Sequence, residues 1–143
     1  MNRKDFISRA SMGLAALSLP RVTGTPVKPI IVSTWDSGMP VNKAAWPVLE
    51  KNGSALDAVE TGARYMEDQI DCCVGLAGYP DRDGIVTLDA CIMDHAFNCG
   101  AVAGLEQIKH PISVARQVME KTPHVLLVGN GAQQFALENG FSK

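Results

Sequence analysis

The sequence predicts an α/β layered domain, and three observations carry that reading. Short runs, IIVST at 30–34 and VLLV at 125–128, are apolar on both faces, as strands covered on both sides are. Between them lie longer stretches with apolar residues at helical spacing. The order is strand, two helices, hairpin, helix, strand, helix, which places buried strands among outer helices. At 143 residues the chain allows one domain of ordinary size and little more.

The N-terminal stretch is read apart from that domain. Arg3, Lys4 and Arg9 give a positive start, Ala10 to Leu19 is apolar, and Pro20 bounds it. The apolar run is too short to cross a membrane core, which takes about 20 helical residues. Its pattern fits a cleavable secretory signal. N-R-K-D-F-I is similar to the twin-arginine export motif, with Lys4 where the second arginine would stand. Residues 1–26 are therefore expected to be export signal and linker, and residues 27–143 the domain. The expected location is exported, in the periplasm. No later segment reads as a membrane span.

Within the domain, Ile30 to Thr34 reads as a buried strand, and Trp35 to Pro40 as a loop that Gly38 and Pro40 keep irregular. A helix from Asn42 to Lys51 stops at Asn52-Gly53, a left-handed cap. Ser54 opens the next helix, its hydroxyl placed to accept the Asp57 N–H. Leu56, Val59, Ala63 and Met66 form that helix's apolar stripe, while Ala55, Ala58 and Gly62 permit close approach. Ile85–Asp94 and Cys99–Leu105 read as a hairpin turning at His95 to Asn98. Pro111 starts a third helix through Lys121, with Val114, Val118 and Met119 inward. Val125–Val128 reads as a strand covered twice, Gly129–Gly131 as a turn, and Ala132–Glu138 as a last helix ending near Asn139-Gly140. The helices alone are expected to be too few to cover both faces of such a sheet.

Composition and motifs exclude more than they assign. Hydrophobic residues make up 46% and charged residues 20%, so the chain is globular rather than disordered. A net charge of -2, with scattered basic residues, gives no basic face for nucleic acid. D-R-D-G at 81–84 lacks the glutamate of a calcium loop, since Ala90 stands at its place, and reads as a turn. Cys91, His95 and Cys99 could hold zinc, but their spacing is not that of a zinc ribbon, and a bridge or buried thiol is the favoured reading. If the turn centres on His95, Cys91 and Cys99 face each other across the hairpin at a distance that can suit a disulfide. V-G-N-G-A-Q at 128–133 is followed by Gln134 where a dinucleotide turn would place its third glycine. Trp35 stands where a strand end would place a binding residue, with a core role the stronger reading from spacing alone.

Taken together, the segments resemble the glycosylasparaginases, amidohydrolases of the N-terminal nucleophile class. The matching stretches run in order from Ile30 to the end: S-T-W at 33–35, G-S-A-L-D-A-V-E at 53–60, P-D-R-D-G at 80–84, T-L-D-A-C-I-M-D at 87–94, G-A-V-A at 100–103, P-I-S-V-A-R-Q-V-M-E-K-T-P-H-V-L-L-V-G at 111–129 and F-A-L-E-N-G-F at 135–141. The resemblance implies a four-layer αββα sandwich, of which this chain would be an incomplete part. It implies a precursor that cuts itself at an Asp-Thr bond in an H-D-T-I-G motif. The freed threonine, with its own α-amine as base, then attacks the side-chain amide of glycosylated asparagine.

No H-D-T-I-G occurs in these residues, and Thr34, Thr61, Thr87 and Thr122 sit in other motifs. The chain is therefore expected to be the α-subunit-like part, inactive alone, its partner a β-subunit half that brings the nucleophile and most of the substrate contacts. No cofactor and no metal are expected. Trp35 resembles the family tryptophan that lines the substrate pocket, and P-D-R-D-G and T-L-D-A-C-I-M-D become scaffold. Two departures stand out: Ala77-Gly78 replaces a glycine pair, and Cys73 replaces a serine. The alternatives are a non-catalytic fragment and a relative of the plant-type asparaginases and isoaspartyl peptidases.

Overall fold

The computed structural model describes residues 28–70 and 73–143. The export-signal reading of residues 1–26 lies outside the described residues, as does Cys72. The described chain is mixed α/β. Helices α1 (Gly38–Glu50) and α2 (Ala55–Glu67) form a hairpin, followed by a short 3-10 turn, Gly75–Ala77. Then come strands β1 (Thr87–Met93) and β2 (Cys99–Glu106), helix α3 (Pro111–Lys121), strand β3 (Leu126–Val128) and helix α4 (Gly129–Glu138). The sheet runs β1-β2-β3, antiparallel between the first two and parallel between the last two.

Ile30–Thr34 is not a strand. Ile30 and Val32 are 80% and 87% exposed, and the segment runs beside α1 and α2 instead of in the sheet. An apolar run becomes a strand only where another strand takes its N–H and C=O groups, and no described strand lies there. Helix α1 starts at Gly38 rather than Asn42. In the first turn the N–H groups have no intrahelical partner, so Pro40 costs nothing there. Gly38 is required: a Cβ would stand 2.3 Å from Ser33 Cβ. Asn52 is left-handed (φ 59°), and the Gly53 N–H donates to Val48 O at 2.8 Å, closing the helix as expected.

In α2 the Ser54 cap is present, its Oγ accepting the Asp57 N–H at 3.0 Å. The expected stripe shifts around the helix. Val59 is exposed, while Ala58 and Gly62 are buried, because α1 crosses on the small residues. A Cβ on Gly62 would stand 3.0 Å from the Val41 side chain and 3.3 Å from that of Ala45.

The hairpin turn runs from Asp94 to Asn98, with the Asp94 carboxylate accepting the Ala96 and Asn98 N–H groups at 2.8 and 2.9 Å. Between Leu88 and Ala90 the register shifts, so β2 carries an extra residue. Gly104 takes the left-handed conformation there (φ 67°), and its N–H donates to Asp89 Oδ1 at 2.8 Å.

Helix α3 begins at Pro111 and buries Ile112, Val114, Ala115 and Val118. It approaches β2 so closely that a Cβ on Gly100 would stand 2.1 Å from the Ala115 carbonyl oxygen. Helix α4 starts at Gly129, where a turn was expected; Gly129 is left-handed (φ 55°), so strand and helix meet without a spacer. The core is Ile92, Val102, Leu105, Ile108, Ile112, Val114, Ala115, Val118, Ala132 and Ala136. It lies between one face of the sheet and helices α3 and α4. The expectation that 125–128 is covered twice fails for these residues: Val125, Leu126 and Val128 are all more than half exposed.

Candidate functional site

Trp35 sits in the turn that precedes α1. Its carbonyl accepts the Gly38 N–H at 3.1 Å, the Asp36 carbonyl accepts the Met39 N–H at 3.1 Å, and Ser33 Oγ donates to Asn42 Oδ1 at 2.5 Å. Trp35 itself is left-handed (φ 65°), an uncommon conformation for a bulky residue. The turn therefore spends backbone strain to hold the indole outward, 80% exposed. This is not a core tryptophan within the described residues.

The outer face of the sheet is the second feature. Thr87, Asp89, Cys91 and Met93 of β1 are exposed on it, beside Cys99, Ala101 and Ala103 of β2. Leu126 and Val128 of β3 complete the rows, pairing with Ala101 and Ala103. The pairing also corrects the cysteine expectation. Cys91 stands opposite Ala101 and Cys99 opposite Met93, because the turn centres on Ala96 rather than His95. The two thiols are diagonal neighbours and both are free. Diagonal pairs have Cα atoms roughly 7–8 Å apart, beyond the usual disulfide span of about 4.4–6.8 Å.

The third feature is a polar seam between α2 and α3. Arg116 Nη1 lies 2.7 Å from both Asp57 Oδ1 and Glu60 Oε2, and its Nε lies 2.7 Å from Glu120 Oε1. Ser113 Oγ donates to Glu60 Oε1 at 2.5 Å and accepts from Arg64 Nη1 at 3.3 Å. These carboxylates raise the Arg116 pKa, while the Ser54 and Arg116 hydrogen bonds hold Asp57 below its ordinary value. Farther along, Glu67 is buried and accepts the Ile112 N–H at 3.0 Å, with His110 Nδ1 at 3.2 Å. Burial pushes Glu67 up to about 7 and His110 down. Both Glu60 oxygens are occupied, so the Ser113–Glu60 contact is a brace and offers no free base to a nucleophile.

Two of the threonines are likewise employed elsewhere. Thr61 and Thr122 donate to the carbonyls of Asp57 and Val118, four residues back along their helices, at 2.7 and 2.8 Å. Asp81 Oδ1 accepts the N–H groups of Asp83 and Ile85, so the P-D-R-D-G stretch is a turn into β1. Sequence reasoning missed Glu67 and His110. Their signals, Glu67-Asp68 closing one helix and Lys109-His110 before Pro111, look like ordinary helix ends until the fold joins them.

Comparison with known proteins then decides the family. The sequence profile described as Asparaginase matches residues 33–143. The chain belongs to this asparaginase family. It is 53% identical to the N(4)-(beta-N-acetylglucosaminyl)-L-asparaginase of Elizabethkingia miricola, over 99% of this chain and 45% of that relative. It is 46% identical to the mouse protein of the same name, over 99% of this chain and 41% of the relative. A plant-type L-asparaginase of Pyrococcus abyssi is 52% identical over 68% of this chain and 32% of its own length. This asparaginase-family chain thus spans less than half the length of the curated relatives it matches.

Proposed function

We propose that the chain is the α-subunit-like part of a glycosylasparaginase-type amidohydrolase. One observation carries this: the glycosylasparaginase of Elizabethkingia miricola aligns over 99% of the chain at 53% identity. In this reading the sheet is one of two in a four-layer αββα sandwich. The second half of the protein packs on the open face that holds Cys91, Met93, Leu126 and Val128. That half supplies the threonine, freed by autoproteolysis, whose hydroxyl attacks the side-chain amide of glycosylated asparagine while its α-amine acts as base. The ester bond of an acyl-enzyme forms as the amide C–N bond breaks, the sugar amine leaves with the proton that the α-amine took from the hydroxyl, and water then hydrolyses the ester to release aspartate. Trp35, held out by its strained turn, lines the substrate pocket at the junction. Its aromatic face suits an apolar sugar ring face. Residues 1–26 direct export to the periplasm.

The test is co-expression of this chain with the second half of the Elizabethkingia miricola relative, followed by assay on aspartylglucosamine, asparagine and an isoaspartyl dipeptide. Release of aspartate from aspartylglucosamine by the pair, and by neither part alone, supports the reading. Activity confined to the other two substrates assigns the chain to the plant-type branch. That second reading draws on the 52% identity to the Pyrococcus abyssi protein. A pair that assembles and hydrolyses none of them leaves the chain a non-catalytic relative.

A further inference from the structure

Glu67 is 6% exposed, an uncommon place for a carboxylate. Its oxygens are tied to different groups. Oε1 accepts the Ile112 N–H at 3.0 Å in the first turn of α3, where a helix leaves its N–H groups unpaired. Oε2 lies 3.2 Å from His110 Nδ1. The other ring nitrogen, Nε2, is 3.4 Å from Asp68 Oδ1, which Lys109 Nζ also contacts at 2.7 Å. Behind Glu67 the chain is packed backbone to backbone: a Cβ on Gly75 would stand 2.3 Å from the Glu67 carbonyl oxygen. Glu67 is thus the junction of α2, the start of α3 and the Gly75–Ala77 turn. All three wall a cavity of about 490 Å³, closed on the far side by Thr87 to Cys91 of β1.

We propose that Glu67 and His110 hold a single proton in common, and that this proton latches α2 to the start of α3 along the cavity wall. The argument is a count of donors. The imidazole stands between two carboxyl groups. A neutral ring with both carboxylates ionised has one N–H for two acceptors, so one ring lone pair must face a negative oxygen. One added proton removes that conflict. It sits between Oε2 and Nδ1, on either partner, while Nε2–H faces Asp68 and the Ile112 N–H keeps Oε1. A second added proton restores conflict: Nδ1–H then meets Oε2–H, or the carboxyl proton moves to Oε1 and meets the Ile112 N–H. Only the singly protonated pair satisfies every contact, and an unsatisfied buried polar group is costly.

The surrounding charges fit. Arg64, Glu60 and Asp68 face the pair from α2, Lys109 flanks His110, Ser113 and Arg116 stand on α3, and Asp89, Cys73 and Cys91 line the same cavity as Glu67. Burial raises Glu67 to about 7 and lowers His110, both shifts opposing the charged form of a group removed from water.

The experiment is an NMR titration of the full chain, following the Glu67 carboxyl carbon, the His110 ring nitrogens and the Ile112 amide. The expected result is one shared inflection near pH 7 at all three sites. E67Q, whose amide can donate to Nδ1 as the protonated carboxyl does, abolishes that inflection. D68N leaves the fold intact, because Asp68 is partly exposed and at the helix end. It relieves the opposed lone pair and moves the inflection to lower pH. Two results overturn the proposal. One is Glu67 titrating in the ordinary range of about 4.3 while His110 titrates separately near about 6.5. The other is a wild-type inflection that D68N does not move.

Discussion

On one face of the sheet Leu88, Ile92, Gly100, Val102 and Leu105 are sealed under α3 and α4; on the other, Cys91, Met93, Leu126 and Val128 stand open. The two faces alternate along the same strands, so strand composition cannot explain the difference. The partner does. The covered face has two helices whose buried residues are small or branched, Val114, Ala115, Val118, Ala132 and Ala136, which lets backbones approach. The open face has Met93, Leu126 and Val128 all more than half exposed. A sheet apolar on both sides with one side covered leaves apolar surface open, and burying each further Val, Leu or Met side chain is worth roughly 1.5–3 kcal/mol.

The comparison breaks first at Gly100. Gly100→Ala puts a methyl into the Ala115 and Met119 backbone, and the expected loss is about 3 kcal/mol, read from the urea midpoint of unfolding. A chain that tolerates this change does not have α3 seated on β2. Next comes a matched pair. Val102→Ala, on the covered face, should cost about 2 kcal/mol. Leu126→Ser, on the open face, should shift stability by less than about 0.5 kcal/mol and reduce self-association in sedimentation experiments. Equal losses at the two positions would erase the distinction between the faces. Ser54→Ala should cost about 1 kcal/mol through the lost α2 cap, without altering association.

The seam sharpens the comparison through pH. Glu67 is raised from 4.5 to about 7, so its contribution is fully present below 4.5 and is lost as pH rises toward 7. His110 is lowered from 6.5, so its contribution is present above 6.5 and is lost as pH falls toward its folded value. The urea midpoint of wild type relative to E67Q should therefore fall as pH climbs from 4.5 to 7, the window of the raised Glu67 pKa. A flat difference would remove Glu67 from the account. The smallest effect is chemical: non-reduced peptide maps should show Cys91 and Cys99 unlinked, as their diagonal placement requires.

How much of this was legible in the sequence varied with the range of the signal. Local devices read well. Ser54 capping α2, Pro111 opening α3 and the Asn52-Gly53 stop all act within a few residues, and the structure shows each. Readings that needed a partner were less secure. IIVST has a strand's composition, yet no described strand accepts it, and VLLV shrank to Leu126–Val128 with its neighbours exposed. The stripe on α2 turned because a crossing helix selects small residues, which hydrophobic period does not encode. The Glu67–His110 contact joins residues 43 apart in the chain, each resembling a plain helix terminus. Trp35 stood out in sequence as a residue between core and site, with core favoured by spacing, but only the fold shows its left-handed backbone and exposed ring.

The hydrogen bond from Gly104 to Asp89 has a further consequence. It occurs where two residues of β2 oppose one of β1, so it can form in a single alignment of the strands. The Asp94 turn fixes the other end of the same hairpin. A slip by one residue would break both anchors and would also turn every β1 side chain over, moving Leu88 and Ile92 to the open side and Cys91 and Met93 beneath the helices. Two aspartates, neither of them in the core, thus act as alignment pins that decide which side chains the open side of the sheet carries.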